Sequence, residues 1–228
     1  MQCDVAIVGA GPAGIAAALT LQKSGYDVVV IDKAVFPRDK CCGDGLTTGA
    51  LRILEELEFN PASVPSWTVC EDVWLRSPGG REMNMPLPHG AGQFAAITPR
   101  IELDNALVQQ AKAAGISVLE GNAFTAIDNS HRDFVSIDVD NIGVIRATFV
   151  IAADGMWSPV RKALGLSQPG YLGEWHAFRQ YASNVTGPAK DCLHVWFDKD
   201  LLPGYAWSFP LKGGRANVGF GILRGGKY

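Results

Sequence analysis

Three glycines and one aspartate carry the first chemistry legible in the chain. Residues 5–21 read VAIVGAGPAGIAAALTL, and their turn, Gly9-Ala10-Gly11-Pro12-Ala13-Gly14, follows a short apolar run. Gly9 permits the tight turn, Gly11 lets backbone come close to a pyrophosphate, and Gly14 lets a helix pack against the strand. A second apolar run, residues 27–31, ends in Asp32, at the spacing where a carboxylate accepts hydrogen bonds from a ribose 2′-hydroxyl. Together these residues specify a dinucleotide site, with the N–H groups of the helix start facing the phosphates.

Two further places carry chemistry. Cys41-Cys42-Gly43-Asp44-Gly45-Leu46 precedes a helix marked by Leu51, Leu54 and Leu57, with Thr47 or Thr48 as its cap. Glycines on both sides of an aspartate let backbone crowd a flat ligand; the plainer alternative is a capped loop in which Cys42 is a small buried residue. Residues 149–153 read as a fully buried strand that delivers Asp154-Gly155 at its C-terminal end, where ligands bind in open α/β sheets. Asp-Gly is also among the commonest plain turns.

The elements that must position these residues alternate at first between strand and helix. Residues 5–8 and 27–31 are strands around a helix whose apolar face holds Ile15, Ala18 and Leu19. Residues 66–76 and 81–87 break the rhythm as two strands joined at Ser77-Pro78-Gly79-Gly80, a hairpin signal. It returns with a strand at 94–98, Pro99 in the first turn of a helix striped by Leu103, Leu107 and Ala111, and Arg100 at that helix's start. After Gly115 come a strand at 116–120 and a meander over 123–127, 134–139 and 143–146. Ser158 and Pro159 open a short helix. From 174 to 220 the chain is β again, with strands at 176–185, 193–197, 206–209 and 215–220. Its dense aromatics, Trp175, Phe178, Tyr181, Trp196, Phe197, Tyr205, Trp207, Phe209 and Phe220, read for the most part as sheet core.

Composition bounds the function. The chain has 228 residues, 47% of them apolar, and a net charge of −3, the profile of a soluble enzyme without the basic face that nucleic acid requires. Glycine, at 26 residues, is abundant, as expected where backbone approaches a ligand. Its 5 cysteines are odd in number and follow no signal peptide, which argues against a disulfide framework and for a reducing cytoplasm. His89, His131, His176 and His194 have no metal-ligand spacing, so no metal is expected. Residues 5–21 are uncharged, but Asp4 precedes them and glycines and a proline interrupt them, which excludes a signal peptide or membrane span.

With these residues in view, the chain resembles the FAD-dependent oxidoreductases built like para-hydroxybenzoate hydroxylase, and within them the geranylgeranyl reductase family. The likeness runs from residue 1 to about residue 223. Gly9 to Gly14 with Asp32 resembles the first flavin fingerprint, although Glu is more usual at the Asp32 position. Residues 152–161, AADGMWSPVR, are similar to the second motif, and Thr98-Pro99-Arg100 with Leu103, Asp104 and Leu107 resembles the Arg-bearing helix start. Residues 40–46, KCCGDGL, are similar to the reductases' loop over the flavin; 204–210, GYAWSFP, with 217–221, NVGFG, resemble their substrate-domain signature.

That resemblance implies an α/β fold: a Rossmann-like FAD-binding domain, a parallel sheet with helices and a β-meander, over 1–65 and 93–165. An inserted, mainly antiparallel β substrate domain occupies 66–92 and 166–228. It implies FAD contacts from Gly9, Gly11, Ala13, Gly14, Asp32, Lys33, Cys42, Gly43, Gly45, Arg100 and Ala123, with Asp154 and Gly155 near the pyrophosphate. Tyr205, Trp207 and Phe209 would line an apolar tunnel for a prenyl substrate, and Cys42 is the titratable side chain nominated near the ring. The implied reaction adds hydride from reduced flavin and a proton across an isoprenoid double bond, with NADPH or another donor supplying electrons. A cytoplasmic protein touching membrane through its substrate follows. The same GYAWSFP segment is similar to a halogenase motif, so a flavin monooxygenase or halogenase is the alternative, as is a flavoprotein domain without turnover. The family's third motif, a Gly-Asp before a C-terminal helix, has no counterpart before Tyr228, and the chain reads as a fragment lacking one wall of the flavin site.

Overall fold

Strand and helix alternate at the start of the chain because Pro12 presets the helical φ immediately after the glycine turn. The order is β1 (Gln2–Val8), α1 (Pro12–Lys23), β2 (Val28–Asp32), β3 (Gly45–Leu46), α2 (Thr48–Glu56), β4 (Thr68–Val69), β5 (Asp72–Arg76), β6 (Glu82–Pro86) and β7 (Ala96–Ile97). There follow α3 (Arg100–Ala113), β8 (Ser117–Glu120), β9 (Phe124–Asp128), β10 (Val135–Val139), β11 (Gly143–Ala152) and α4 (Pro159–Ala163). Last come β12 (Trp175–Ala182), β13 (Leu193–Trp196), β14 (Tyr205–Leu211) and β15 (Arg215–Leu223). The computed structural model describes residues 1–88 and 92–225; His89 and the last residues, 226–228, lie outside them. The chain divides into two compact units, 1–39 with 57–59 and 103–171, and 40–56 with 60–102 and 172–228. This division groups 40–56, 60–65 and 93–102 with the β-rich unit and 166–171 with the first, whereas the resemblance implies boundaries at 65, 92 and 165.

The first unit is built on a six-stranded sheet in the order β8-β2-β1-β11-β10-β9. β8, β2, β1 and β11 are parallel, and β11, β10 and β9 are antiparallel, which is the expected parallel sheet with its meander. Cys3, Ala6, Val8, Val29, Ile31, Phe124, Ile137, Val139, Ile145 and Ala147 pack into one core, closed by Val160 of α4. Each large aliphatic side chain removed from water there contributes about 1.5–3 kcal/mol. Ile15, Ala18 and Leu19 form the buried stripe of α1, which packs on β1 and β2.

One expectation is corrected here. Residues 149–153 are not a separate buried strand; 143–152 form a single strand, and Phe149 is 66% exposed. Along β11 the antiparallel partner β10 reaches only to Ala147, and among the described residues the remainder pairs with β1 alone. A continuous apolar run is buried on both faces only where both are covered.

In the second unit the main sheet runs β12-β15-β14-β13-β5-β6, antiparallel except for the β13–β5 pair. β5 and β6 form the hairpin expected around 77–80. A small sheet, β3-β7-β4, accompanies it, and Cys70, Ile97 and Leu211 form a core with Leu193 and Phe209. The expectation that most of the unit's aromatics are core is also corrected: Trp207 is buried, whereas Trp175, Phe178, Tyr181, Tyr205 and Phe220 are exposed and Trp196, Phe197 and Phe209 half-buried. Some of these side chains meet across neighbouring strands, as Phe178 meets Phe220 at 6.2 Å between ring centroids.

Within the first unit Arg38 Nη1 donates to Asp104 Oδ2 at 2.6 Å, and the Asp104 side chain is 0% exposed. Removing the guanidinium weakens the hold on a charge kept in low dielectric, at a cost of up to about 3 kcal/mol. Arg38→Ala should therefore lower unfolding free energy by about 1–3 kcal/mol in chemical denaturation. Adding Asp104→Asn to Arg38→Ala should recover part of the loss; a double variant no more stable than the single one would remove the charge argument.

Candidate functional site

Each unit carries one group of the residues read from the sequence. In the first, Gly9 has φ +109°, and a side chain there would strike the Ala153 carbonyl, so the end of β11 lies directly against the glycine turn. A Cβ on Gly14 would in turn strike the Gly9 carbonyl oxygen. Because neither residue has a Cβ, α1 can start immediately over the strand ends. Its N-cap is Gly11, extended, with no side-chain cap and no acidic residue in the first turn, and Ala13 is exposed on that turn. The leading N–H groups of a helix have no intrahelical partner. An uncapped first turn of this kind accepts a phosphate.

Asp32 closes the turn from the side. Its Oδ2 accepts the Ala10 N–H at 2.7 Å and its Oδ1 accepts the Ala34 N–H at 2.8 Å. The carboxylate thus holds the glycine turn in shape, a role the motif alone does not reveal, and each oxygen retains capacity for a further donor. Asn122 N–H donates to the Asp32 carbonyl at 3.0 Å, which sets Ala123 beside the end of β2; Lys33 is exposed there. Asp154 lies just beyond Ala153, and its Oδ2 accepts the Val160 N–H at 3.0 Å, while Ser158 Oγ accepts the Arg161 N–H at 2.9 Å. Ser158 is the N-cap of α4, Asp154 accepts a second N–H of its first turn, and Gly155, at φ +86°, turns the chain between Asp154 and the helix.

In the second unit Cys42, Gly43 and Gly45 flank a residue that the sequence reading passed over. Asp44 is 2% exposed, with φ +64°, and its Oδ2 accepts Asn217 Nδ2 at 2.8 Å and the Tyr181 hydroxyl at 2.7 Å. Its Oδ1 accepts the Arg100 N–H at 3.3 Å, and its carbonyl accepts the Thr98 N–H at 3.0 Å. Burial pushes the Asp44 carboxyl above its ordinary range, against the pull of the Asn217, Tyr181 and Arg100 hydrogen bonds and the Arg179 charge. Asn217, 0% exposed, also donates to the Cys42 carbonyl at 2.9 Å and accepts the Trp207 indole N–H at 3.0 Å.

The aromatic strand rests on the same loop. A Cβ on Gly45 would lie 3.1 Å from the Phe209 ring, and one on Gly43 would lie 3.5 Å from Phe209 and 3.7 Å from Trp207. Trp207 is 8% exposed, whereas Tyr205 stands exposed at the end of the strand. Cys42, Gly43, Gly45, Arg100, Trp207 and Phe209 are therefore brought together. Asp44 had a legible signal, an aspartate between two glycines where a left-handed turn is needed. Asn217 opens the 217–221 segment that the resemblance singles out, but neither it nor Tyr181 disclosed a partner, since a polar side chain in a strand reads as facing water until its partner is known.

The uncapped α1 start and the Asp32 side chain at the end of β2 fit a dinucleotide with its pyrophosphate on the turn and its ribose on the carboxylate. Residues 2–205 match the family described as FAD binding domain. The chain belongs to this family of FAD-dependent oxidoreductases. Within it, the chain is 33% identical to a menaquinone reductase of Mycolicibacterium smegmatis over 97% of its length and 55% of the relative's. It is 33% identical to a digeranylgeranylglycerophospholipid reductase of Methanopyrus kandleri, again over 97% and 55%. Among solved structures, a geranylgeranyl bacteriochlorophyll reductase-like protein of Thermoplasma acidophilum superposes with TM-score 0.81 at 26% identity, over 97% of this chain and 56% of that one. CmlS, a flavin-dependent halogenase, superposes with TM-score 0.80 at 28% identity, over 98% and 42%. The chain spans about half the length of the curated relatives it matches.

Asp32→Ala removes the acceptor of Ala10 N–H together with the ribose acceptor. The expected result is FAD affinity about ten- to a hundredfold weaker, from the loss of a charge-assisted hydrogen bond of about 1.5–3 kcal/mol, with a lower melting temperature from the loosened turn. Isothermal titration and thermal melts of the full-length protein measure the two effects; unchanged FAD affinity would end the ribose assignment.

Proposed function

We propose that this chain is the cofactor- and substrate-binding part of an FAD-dependent reductase that saturates isoprenoid carbon–carbon double bonds. The observation that carries the proposal is the aromatic face of β14 lying on the Cys42–Gly45 loop, where a Cβ on Gly45 would come within 3.1 Å of the Phe209 ring and one on Gly43 would touch Phe209 and Trp207 at ordinary contact distance. Such a face suits an extended hydrocarbon, which is held by area and not by hydrogen bonds. The names of the reductase relatives support the same substrate class.

In this reading Gly9, Gly11, Ala13 and Gly14 carry the pyrophosphate of FAD, with Asp154 and Gly155 beside it, and Asp32, Lys33 and Ala123 hold the adenosine side. Cys42, Gly43, Gly45 and Arg100 touch the flavin, and Tyr205, Trp207 and Phe209 face the prenyl chain. When bound, FAD supplies hydride-transfer chemistry. The chain's own residues orient the substrate, exclude water with aromatic area and supply the proton. NADPH or another reductant is the proposed electron source. The proposed setting is cytoplasmic, with contact to a membrane surface through the prenyl substrate; no helix among the described residues is long and apolar enough to cross a bilayer.

Full-length protein loaded with FAD, reduced by NADPH or dithionite and given geranylgeraniol, should yield product heavier by two hydrogens for each bond saturated. Incorporation of halide or oxygen would instead establish the halogenase or monooxygenase reading, and a bound flavin that no substrate reoxidises would leave a non-catalytic domain. Tyr205 and Trp207 should separate on mutation. Tyr205→Ala, at an exposed position, should raise KM for the prenyl substrate or change its preferred length with little loss of stability. Trp207→Phe leaves the buried Asn217 Oδ1 without its donor and should cost about 1–3 kcal/mol of folding free energy. Equal melting temperatures for Trp207→Phe and the parent would overturn the buried role of that indole.

A further inference from the structure

We infer that Tyr181 and Asp44 form a proton-relay pair that supplies the proton accompanying hydride addition to the substrate double bond. The inference rests on the reduction proposed above, since each hydride added to an alkene carbon requires one proton at its neighbour. The two groups are hydrogen-bonded at 2.7 Å. Asp44 is buried, whereas Tyr181 is 38% exposed as a residue, so the contact links a shielded acid to a side chain at the edge of the buried region.

Their place in the sheet is suited to the task. Tyr181 of β12 stands opposite Asn217 of β15, and Asn217 stands opposite Phe209 of β14. Directly opposed residues share a face of a sheet. The phenol therefore lies in the row of the aromatic strand proposed for the prenyl chain, and Asp44 lies between the two glycines that the Phe209 ring covers.

The groups around Asp44 come from several elements. β12 contributes the Tyr181 hydroxyl and the Arg179 charge, β15 the Asn217 amide, and the start of α3 the Arg100 N–H; Cys42 stands in its own loop. The guanidinium of Arg179 lies over the Tyr181 ring, 4.4 Å from its centroid. Burial outweighs the donors and the cation and raises the readiness of the Asp44 carboxyl to keep a proton.

The step balances. In the structure the phenol donates to Asp44 Oδ2; with Asp44 protonated that hydrogen bond would be reversed, and the Asp44 proton would pass to Tyr181 Oη as the phenol's own proton passes to one alkene carbon, while bound reduced FAD would supply the hydride to its neighbour. The π bond is lost and two C–H bonds form. Asp44 would be left as a carboxylate held by Asn217 Nδ2 and the Arg100 N–H, to be reprotonated by water through Tyr181 in the next cycle.

The test uses full-length, FAD-loaded protein and its Tyr181→Phe and Asp44→Asn variants, reduced with dithionite and mixed anaerobically with geranylgeraniol. Flavin reoxidation by the parent should slow as pH rises through the Asp44 titration, because the relay needs the protonated acid. Tyr181→Phe should keep FAD content, melt somewhat lower because buried Asp44 loses one donor, react about a hundredfold more slowly and lose that pH step. Asp44→Asn should behave alike if it folds. A Tyr181→Phe protein with the parent's rate and pH profile would overturn the relay. If the parent itself is not reoxidised, the reductase reading falls, and the pair is then judged by ¹³C NMR titration of the aspartate carboxyls without substrate. An Asp44 resonance that titrates above the ordinary range and moves in Tyr181→Phe supports the pair; one that does neither refutes it.

Discussion

Burying the Asp44 carboxylate obliges the chain to bring donors to it from three separate segments, and the second unit's site is built from that obligation. A buried carboxylate without hydrogen bonds is costly enough to be expelled or neutralised. Here Asn217, Tyr181 and the Arg100 N–H converge on it, and Asn217 reaches on to the Cys42 carbonyl and the Trp207 indole. One amide side chain thereby ties the loop, the aromatic strand and its neighbour into a single arrangement. Such connected polar groups gain strength together and specify one packing, provided that every member is satisfied.

The first unit solves a different problem by a related device. Its glycine turn must leave backbone donors free for a ligand, and a turn with free donors has little to hold it. Asp32 supplies the restraint by accepting the Ala10 N–H, and the Ala153 backbone supplies it from the other side by lying where a Gly9 side chain would be. Asp154 repeats the pattern at the next strand end by accepting an N–H from the first turn of α4. The acidic residues at these strand ends thus serve the fold and remain available to a cofactor, because a carboxylate oxygen accepts more than one donor.

The fold class was legible because period and punctuation agree. The apolar runs at 5–8 and 27–31, the Pro12 and Pro159 helix starts and the Ser77–Gly80 turn all became the elements that their local chemistry predicts. Aromatic density misled at 174–220, since a side chain's type states what it can bury and not whether a second layer exists to bury it. Residues 149–153 misled for the same reason, as a run of apolar residues does not disclose which edges and faces its strand will have covered.

Sequence by itself determined the dinucleotide turn, the acidic residue at the end of β2 and the family, because these depend on residues close in the chain whose spacing is set by backbone geometry. Tertiary structure alone decided that Asp44 is the centre of the second group, that Asn217 and Tyr181 serve it, and that Trp207 is buried while Tyr205 is not. Those facts depend on partners more than a hundred residues apart, as Asn217 and Tyr181 are from Asp44. Hydrogen bonding is short-ranged and directional, so which polar side chain meets which is fixed only when the strands that carry them have paired.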